Sequence, residues 1–112
     1  MDLEVRSLQN RVTVISLDGE MDLYNSHKLK EVVSSHFERS AGPLILDFKE
    51  LSYIDSSGIS VLLYTFTQAK KRSIGIWFVN VHGSVRKVIE LTSLLGFFPI
   101  ADSLEDAVRT LN

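Results

Sequence analysis

Two short, almost uninterrupted apolar segments constrain the fold of this chain more than any other feature. They are Leu44–Phe48 and Ile76–Val79, and a segment with helical periodicity separates them. Strands of this composition are typical of parallel sheets, whose two faces are covered. Neighbouring parallel strands need a crossover connection, which is right-handed in nearly all known cases. The two segments therefore predict a parallel β-α-β unit in the middle of the chain.

The remaining patterns extend this unit in both directions. Alternating segments near the start predict two strands joined across Gln9-Asn10 as a hairpin, and apolar stripes at helical spacing predict four helices. Gly96 is the expected residue after the third helix. We predict strands over residues 3–8, 11–17, 44–48, 76–79 and 97–100, and helices that begin near residues 25, 57, 83 and 103. The order β-β-α-β-α-β-α-β-α predicts an α/β fold with a mixed, mostly parallel sheet, an antiparallel N-terminal edge hairpin and packed helices.

Length and composition limit the classes of function. The 112 residues, without an internal linker or repeat, indicate one domain over 1–112. There is no cysteine, which excludes disulfides and thiolate metal sites, and no histidine pair has chelating spacing, so we expect neither a metal nor a cofactor. The net charge of −2 predicts no direct binding to nucleic acid and none to membranes. A cytoplasmic protein is expected.

Polar segments follow three of the predicted strands, at residues 18–22, 53–58 and 80–84. Functional groups gather at the carboxyl ends of strands in open parallel sheets, so we expect the three segments to meet there. The middle one contains Asp55-Ser56-Ser57-Gly58 and opens the most periodic helix. These side chains are either helix caps or a phosphate-tolerant hydroxyl site at a helix N-terminus. Gly58 is expected to let the backbone of another protein approach closely.

The segment Leu51–Ile59, together with Gly19–Asp22, resembles the STAS domain of bacterial anti-sigma factor antagonists. The likeness implies a small cytoplasmic regulator whose unphosphorylated form binds an anti-sigma factor and so releases the sigma factor. That partner is usually a serine kinase with a GHKL-type ATP fold. It phosphorylates the hydroxyl directly after the motif's aspartate, which is Ser56 here, and this ends the association. A phosphoserine phosphatase would reset the protein.

The resemblance also identifies the residues expected to bind the partner. Asp55 corresponds to the carboxylate beside the phosphoacceptor, and Asp22 to the acidic residue that ends the earlier loop. The expected partner-binding residues are Asp22, Asp55, Ser56, Ser57 and Gly58. The exposed side of the second helix is expected to extend the contact surface through Ser60, Tyr64, Thr67 and Lys71.

Several other functions were weighed against these residues. A phospho-aspartate receiver domain needs a lysine after its last strand, where this chain has Ala101-Asp102-Ser103. A serine hydrolase needs a Gly-x-Ser-x-Gly turn, which Asp55–Gly58 does not supply, and His36 lies on an apolar stripe, so we expect no enzyme. Two alternatives stay open: a STAS subunit of a transporter or stress-signalling assembly, and a sensor of a nucleotide or another small ligand.

Overall fold

The computed structural model describes residues 1–39 and 42–111. Strands and helices alternate in the predicted order. The strands are β1 (Asp2–Ser7), β2 (Thr13–Met21), β3 (Leu44–Ile54), β4 (Ile76–Val79) and β5 (Ile100–Ala101). The helices are α1 (Ser26–Arg39), α2 (Ser56–Lys71), α3 (Gly83–Leu91) and α4 (Leu104–Leu111). No helix in these described ranges is long and apolar enough to cross a membrane.

The five strands form one sheet in the order β1-β2-β3-β4-β5. β1 pairs with β2 in antiparallel orientation, and every later neighbouring pair is parallel. Each parallel connection contains a helix, as the crossover argument requires. The predicted mixed sheet with an antiparallel edge hairpin is therefore confirmed.

Helices cover the two faces of the sheet unequally. Along β3, Leu44 and Leu46 point into the main core, which includes buried residues of α1, α2 and α3. The intervening Ile45 points to the other face, where it packs in a smaller cluster with Ala107 of α4. Trp77, expected in the core, is half-buried beside this smaller cluster. The continuous apolar run at the start of β3 thus results from burial on both faces.

β2 and β3 are longer than their apolar runs predict. β2 passes its expected end at Leu17 and continues through Gly19 to Met21, with φ at Gly19 of 103° and irregular register on both sides of that segment. β3 pairs with β4 only as far as Asp47 and then continues along β2 to Ile54. Asp18 and Glu20 therefore lie in a strand, and the expected loop over residues 18–22 is wrong. Pairing with β3 overrides the low strand propensity of these residues.

The first connection is longer than a two-residue hairpin turn. A short 3₁₀ turn, Gln9–Arg11, joins β1 to β2, and Leu8 N–H donates to Val12 O at 2.7 Å. Asn10 and Arg11 both have positive φ, at 61° and 64°. The predicted turn across Gln9-Asn10 is wrong, because this pair lacks the glycine that a tight two-residue turn prefers.

Two predictions near the end of α3 are also wrong. Ser93, with φ of 62°, takes the left-handed position expected for Gly96, and Leu94 N–H donates to Ile89 O at 3.2 Å. Residues 97–99 form no strand, since Phe97 N–H and Phe98 N–H both donate back to Leu94 O. Phe98 is buried in the main core, so its apolar character reflects a buried turn.

The histidines take structural or exposed positions. His36 is buried, and its Nε2 lies 3.0 Å from Gly42 O, which confirms the expected core or boundary role. His27 is exposed near the start of α1. His82 is exposed as well, but its Nε2 lies 2.8 Å from Lys49 O. The hydrogen bond of His36 holds the loop that follows α1. The hydrogen bond of His82 holds the loop that follows β4 against β3.

Candidate partner-binding site

A tight turn follows β2 and fixes the position of Asp22. The Oδ1 atom of Asp22 accepts hydrogen bonds from Tyr24 N–H at 2.9 Å and Asn25 N–H at 3.2 Å. Asn25 returns the interaction, because its Oδ1 accepts from Asp22 N–H at 2.9 Å and its Nδ2 donates to Glu20 O at 2.8 Å. Side chains of this kind stabilise turns by replacing backbone partners. The acidic group of Asp22 therefore holds the turn that begins α1.

Asp55 joins this turn to the start of α2. Its Oδ1 caps the helix by accepting from Ser57 N–H at 2.9 Å and Gly58 N–H at 3.2 Å. Its Oδ2 accepts from Leu23 N–H at 3.1 Å, 32 residues away in the chain. The cap interpretation of the motif is thus confirmed for Asp55. One carboxylate fixes the relative position of two segments, so Asp22 and Asp55 lie at one site, as predicted.

Ser56 is the first residue of α2 and is exposed. Within the described ranges its hydroxyl has no hydrogen-bond partner, while its carbonyl oxygen accepts from Ser60 Oγ at 3.0 Å. Two N–H groups of the helix start are already satisfied by Asp55. A phosphate on Ser56 would therefore add its charge beside a carboxylate that already occupies the favourable donors. The hydroxyl is accessible, and a charge placed on it would project from the surface.

Gly58 has a different role from the one expected. It is buried, and a Cβ atom at this position would lie 2.5 Å from Ile54 Cγ1 and 3.1 Å from Met21 Sδ. The absent side chain lets the start of α2 lie against β2 and β3, so the expected opening toward an incoming backbone is wrong. Gly58 supports the site from inside by keeping the capped helix start close to the sheet. A direct contact between Gly58 and a partner stays a prediction.

The third polar segment does not reach this site, because β3 extends beyond β4. Residues 80–84 lie along the side of β3, where Ser84 Oγ donates to Ser52 O at 2.6 Å and His82 Nε2 contacts Lys49 O. These side chains satisfy carbonyl groups of β3 that no strand pairs with at this level. Among the described residues, hydrogen bonds therefore join the first two segments to each other, and the third is bonded to β3 at Lys49 and Ser52 instead.

Exposed apolar side chains beside Asp22 and Asp55 were missed in the sequence. Leu23 is 67% exposed, Tyr24 84% and Tyr53 45%. Exposed large hydrophobic residues that cluster on a surface are typical of protein interaction sites. A usable signal was present, since Leu23-Tyr24 follows Asp22 directly and belongs to no apolar stripe. We call the segment Asp22–Asn25 the apolar turn.

The outer side of α2 matches expectation with one exception. Ser60, Thr67 and Lys71 are exposed. Tyr64 is half-buried, and its hydroxyl lies 2.8 Å from Ser34 Oγ of α1. The placement of Tyr64 on the exposed side is therefore wrong, because its ring fills the space between two helices that pack side by side. The three exposed residues extend a polar surface along α2 from Ser56.

An α/β domain that combines an accessible hydroxyl on a capped helix start with an exposed apolar turn is typical of the class of protein interaction domains. The sequence model of the STAS domain family matches residues 5–107 of this chain. The chain belongs to the STAS domain family. The resemblance seen in Leu51–Ile59 and Gly19–Asp22 is thereby confirmed.

Several proteins with a known role are similar to this chain in sequence or in fold. The anti-sigma-B factor antagonist of Bacillus subtilis (strain 168) is 27% identical over 109 residues, which cover 97% of this chain and 98% of that protein. An anti-sigma factor antagonist from Mycobacterium paratuberculosis has a TM-score of 0.85 at 24% identity, covering 98% of this chain and 92% of that one. The Bacillus protein SpoIIAA in its phosphorylated form has a TM-score of 0.77 at 22% identity, covering 99% of this chain and 100% of that one. The structural likenesses establish the fold, and the relative from Bacillus subtilis is by name an anti-sigma factor antagonist.

Proposed function

We propose that this protein is a cytoplasmic anti-sigma factor antagonist that is switched by phosphorylation of Ser56. The unphosphorylated form binds an anti-sigma factor and so releases the sigma factor. The relative from Bacillus subtilis carries this role in its name, and SpoIIAA has been solved phosphorylated. The observation that carries the proposal is the exposed Ser56 hydroxyl, which has no partner in the described parts of the chain and lies next to the capping Asp55.

The partner surface in this proposal combines the helix start with the apolar turn. Leu23 and Tyr24 supply apolar area that is exposed in the free protein. The bond from Leu23 N–H to Asp55 Oδ2 holds that area beside Ser56. Asp22 contributes by fixing the turn, and Ser57 flanks the phosphoacceptor. A partner that buries the apolar turn would also cover the Ser56 hydroxyl.

The proposed partner is an anti-sigma factor that is itself a serine kinase with a GHKL-type ATP fold. In the transfer step Ser56 Oγ attacks the γ-phosphorus of ATP, the bond between that phosphorus and the β,γ-bridging oxygen breaks, and ADP leaves. The hydroxyl proton passes to a base of the kinase. A phosphoserine phosphatase reverses the change by hydrolysis, which restores the hydroxyl and releases inorganic phosphate.

Electrostatics and desolvation explain why the modified form would release its partner. The phosphate adds a charge of about −1.5 to −2. This charge stands beside Asp55, whose carboxylate already accepts from the N–H groups that could have stabilised it. Burying such a group under a partner is costly unless new cations pair with it. Phosphorylation therefore weakens binding without requiring a change in the fold.

Calorimetric titration with the cognate anti-sigma factor tests the proposal. The wild-type chain should bind before, and lose most of its affinity after, incubation with the kinase and ATP. Ser56→Ala should bind before and after that incubation, and Ser57→Ala, which keeps Ser56, is the matched control that should still lose most of its affinity after it. Binding that survives stoichiometric phosphorylation of Ser56 would contradict the switch, and absence of binding by the unmodified protein would contradict the antagonist role.

A further inference from the structure

β1 is an edge strand of the sheet. Hydrogen bonds of the adjacent residues show which of its backbone groups point away from β2, and these are called outward here. Leu8 N–H donates to Val12 O at 2.7 Å, and Thr13 N–H donates away from β1 to Pro43 O at 2.9 Å. Along an antiparallel edge strand, the backbone N–H and C=O groups of successive residues point alternately toward the paired strand and away from it. Leu8 points toward the β2 side, so Ser7, Val5 and Leu3 point away from it. Val5 therefore directs its N–H and C=O groups away from β2, to the side on which the described residues provide no further strand.

The side chains of β1 make this edge unusual. Val5 lies opposite Ile15, on the face that α1 covers, yet it is 50% exposed. It lines a groove of about 640 Å³ between β1 and α1. Glu4 and Arg6 lie on the opposite face and are exposed. The edge thus presents an apolar residue between two opposite charges, together with unpaired backbone groups that favour strand addition.

We propose that β1 is the interface of a symmetric dimer, in which the β1 strands of two copies pair in antiparallel orientation about Val5. This register places Val5 against Val5 of the second copy and Glu4 opposite Arg6 of that copy. The pair of opposite charges occurs twice because the arrangement has twofold symmetry. The result is one continuous sheet across both copies.

Charge disfavours the neighbouring registers that the outward backbone groups permit. Centring the pairing on Glu4 places two Glu4 side chains directly opposite each other, and centring it on Arg6 does the same with two arginines. Centring on Leu3 brings Asp2 opposite Glu4. Like charges directly opposite across strands destabilise a sheet, whereas opposite charges stabilise it. Only the register about Val5 gives complementary pairs and an apolar pair at its centre.

The rim of the groove supports the same symmetry. Glu31 and Arg39 lie along the α1 side of the groove, with Ser35 between them. A twofold axis perpendicular to the sheet turns the two rims antiparallel to each other. The acidic end of one rim then faces the basic end of the other.

Sedimentation equilibrium of the full chain over a wide range of concentrations tests the proposal. The wild type should dimerise, and Glu4→Arg or Arg6→Glu should each raise the dimer dissociation constant by about tenfold, because two favourable pairs become repulsive. The double variant Glu4→Arg/Arg6→Glu should return to near the wild-type constant. Lys87→Glu, an exposed charge reversal on α3, should have no effect. A monomeric wild type, or a double variant no better than the single ones, would overturn the proposal.

Amide hydrogen exchange provides a second readout that locates the interface. Exchange at Val5 should slow as protein concentration rises, because its outward N–H is bonded only in the dimer. Arg6, whose N–H faces β2, should change much less. A dimer in which Val5 exchange is independent of concentration would overturn the β1 interface, even if the chain self-associates.

Discussion

The serines at the starts of α2 and α3, Ser56 and Ser84, are in opposite situations. At α2 the cap is Asp55, so the hydroxyl of Ser56 is left without a partner in the described chain. At α3 the cap residue, His82, makes no side-chain capping bond, and the hydroxyl of Ser84 donates to Ser52 O at 2.6 Å. A serine at a helix start is thus available for modification only where another side chain supplies the cap and no carbonyl takes the hydroxyl.

The two helix starts also differ in what surrounds them. The α2 start contacts the apolar turn through the bond between Asp55 and Leu23 N–H. The α3 start lies along the side of β3, and its side chains satisfy carbonyl groups there. The first arrangement exposes apolar area and a hydroxyl together, and the second uses its polar groups to seal a sheet edge. The polar groups of the α3 start thus support the sheet, and those of the α2 start belong to the surface proposed for partner binding.

The largest expected effect concerns the apolar area that only the α2 start possesses. Tyr24→Ala should weaken anti-sigma factor binding by about 2 kcal/mol, roughly thirtyfold, because exposed aromatic anchors dominate interface energies. Leu91→Ala is the matched control, since Leu91 is 78% exposed but lies at the end of α3. Calorimetric titration of both variants checks the difference. Equal affinities for the two variants would contradict a partner surface at the apolar turn.

Replacing the cap residues of α2 and α3, Asp55 and His82, should lower the free energy of unfolding by different amounts. Asp55→Ala should lower the free energy of unfolding by about 1.5 kcal/mol, since three N–H groups lose an acceptor. His82→Ala should cost about 0.5 kcal/mol, because it removes one exposed hydrogen bond to Lys49 O and no capping bond. Urea denaturation of both variants measures the two values. The comparison fails if His82→Ala proves as destabilising as Asp55→Ala.

Gly58 tests how closely the α2 start must lie against the sheet. Gly58→Ala should lower the free energy of unfolding by about 1 kcal/mol, because overpacking against Ile54 outweighs the gain in helix propensity. At Gly96 a Cβ atom would meet nothing within 4 Å, so Gly96→Ala should be nearly neutral. Thermal unfolding of both variants checks this. A stabilised Gly58→Ala protein would show that the close approach is not needed.

The smallest expected effect is the difference in stability between alanine variants of the two serines, Ser84 and Ser56. Ser84→Ala should cost about 0.5 to 1 kcal/mol because it leaves Ser52 O without its donor. Ser56→Ala should change the free energy of unfolding by less than about 0.5 kcal/mol, as exposed substitutions without partners do. Chemical denaturation of the two variants under the same conditions shows which of them loses more free energy of unfolding. A larger loss for Ser56→Ala would mean that its hydroxyl has a structural role.

The sequence predicts most of the architecture because apolar burial determines it. The run Ile76–Val79 gives β4 at its observed bounds, and the stripe on α2 places that helix within one residue. The extension of β2 through Gly19 could not be predicted, since it depends on pairing with the distant β3. Ser93 takes a left-handed conformation that favours glycine, which composition does not reveal.

The site was only partly predictable for the same reason. Asp55 and Ser56 are neighbours in sequence, so a capped helix start beside a hydroxyl follows from local chemistry. The contact between Asp55 and Leu23 spans 32 residues and depends on the irregular register between β2 and β3. The inward orientation of Gly58 depends on Ile54 and Met21, which local spacing does not relate to it. Residues linked by tertiary geometry were therefore the ones missed.

Ser56 is the proposed phosphorylation site on this surface. This assignment is tested most directly by incubating the wild-type protein with its cognate anti-sigma factor kinase and ATP and mapping phosphate by peptide mass spectrometry. We expect one phosphate per chain, on Ser56, and none on Ser84, whose hydroxyl already donates to Ser52 O. Modification of Ser84 or Ser57 with Ser56 unmodified would contradict the account.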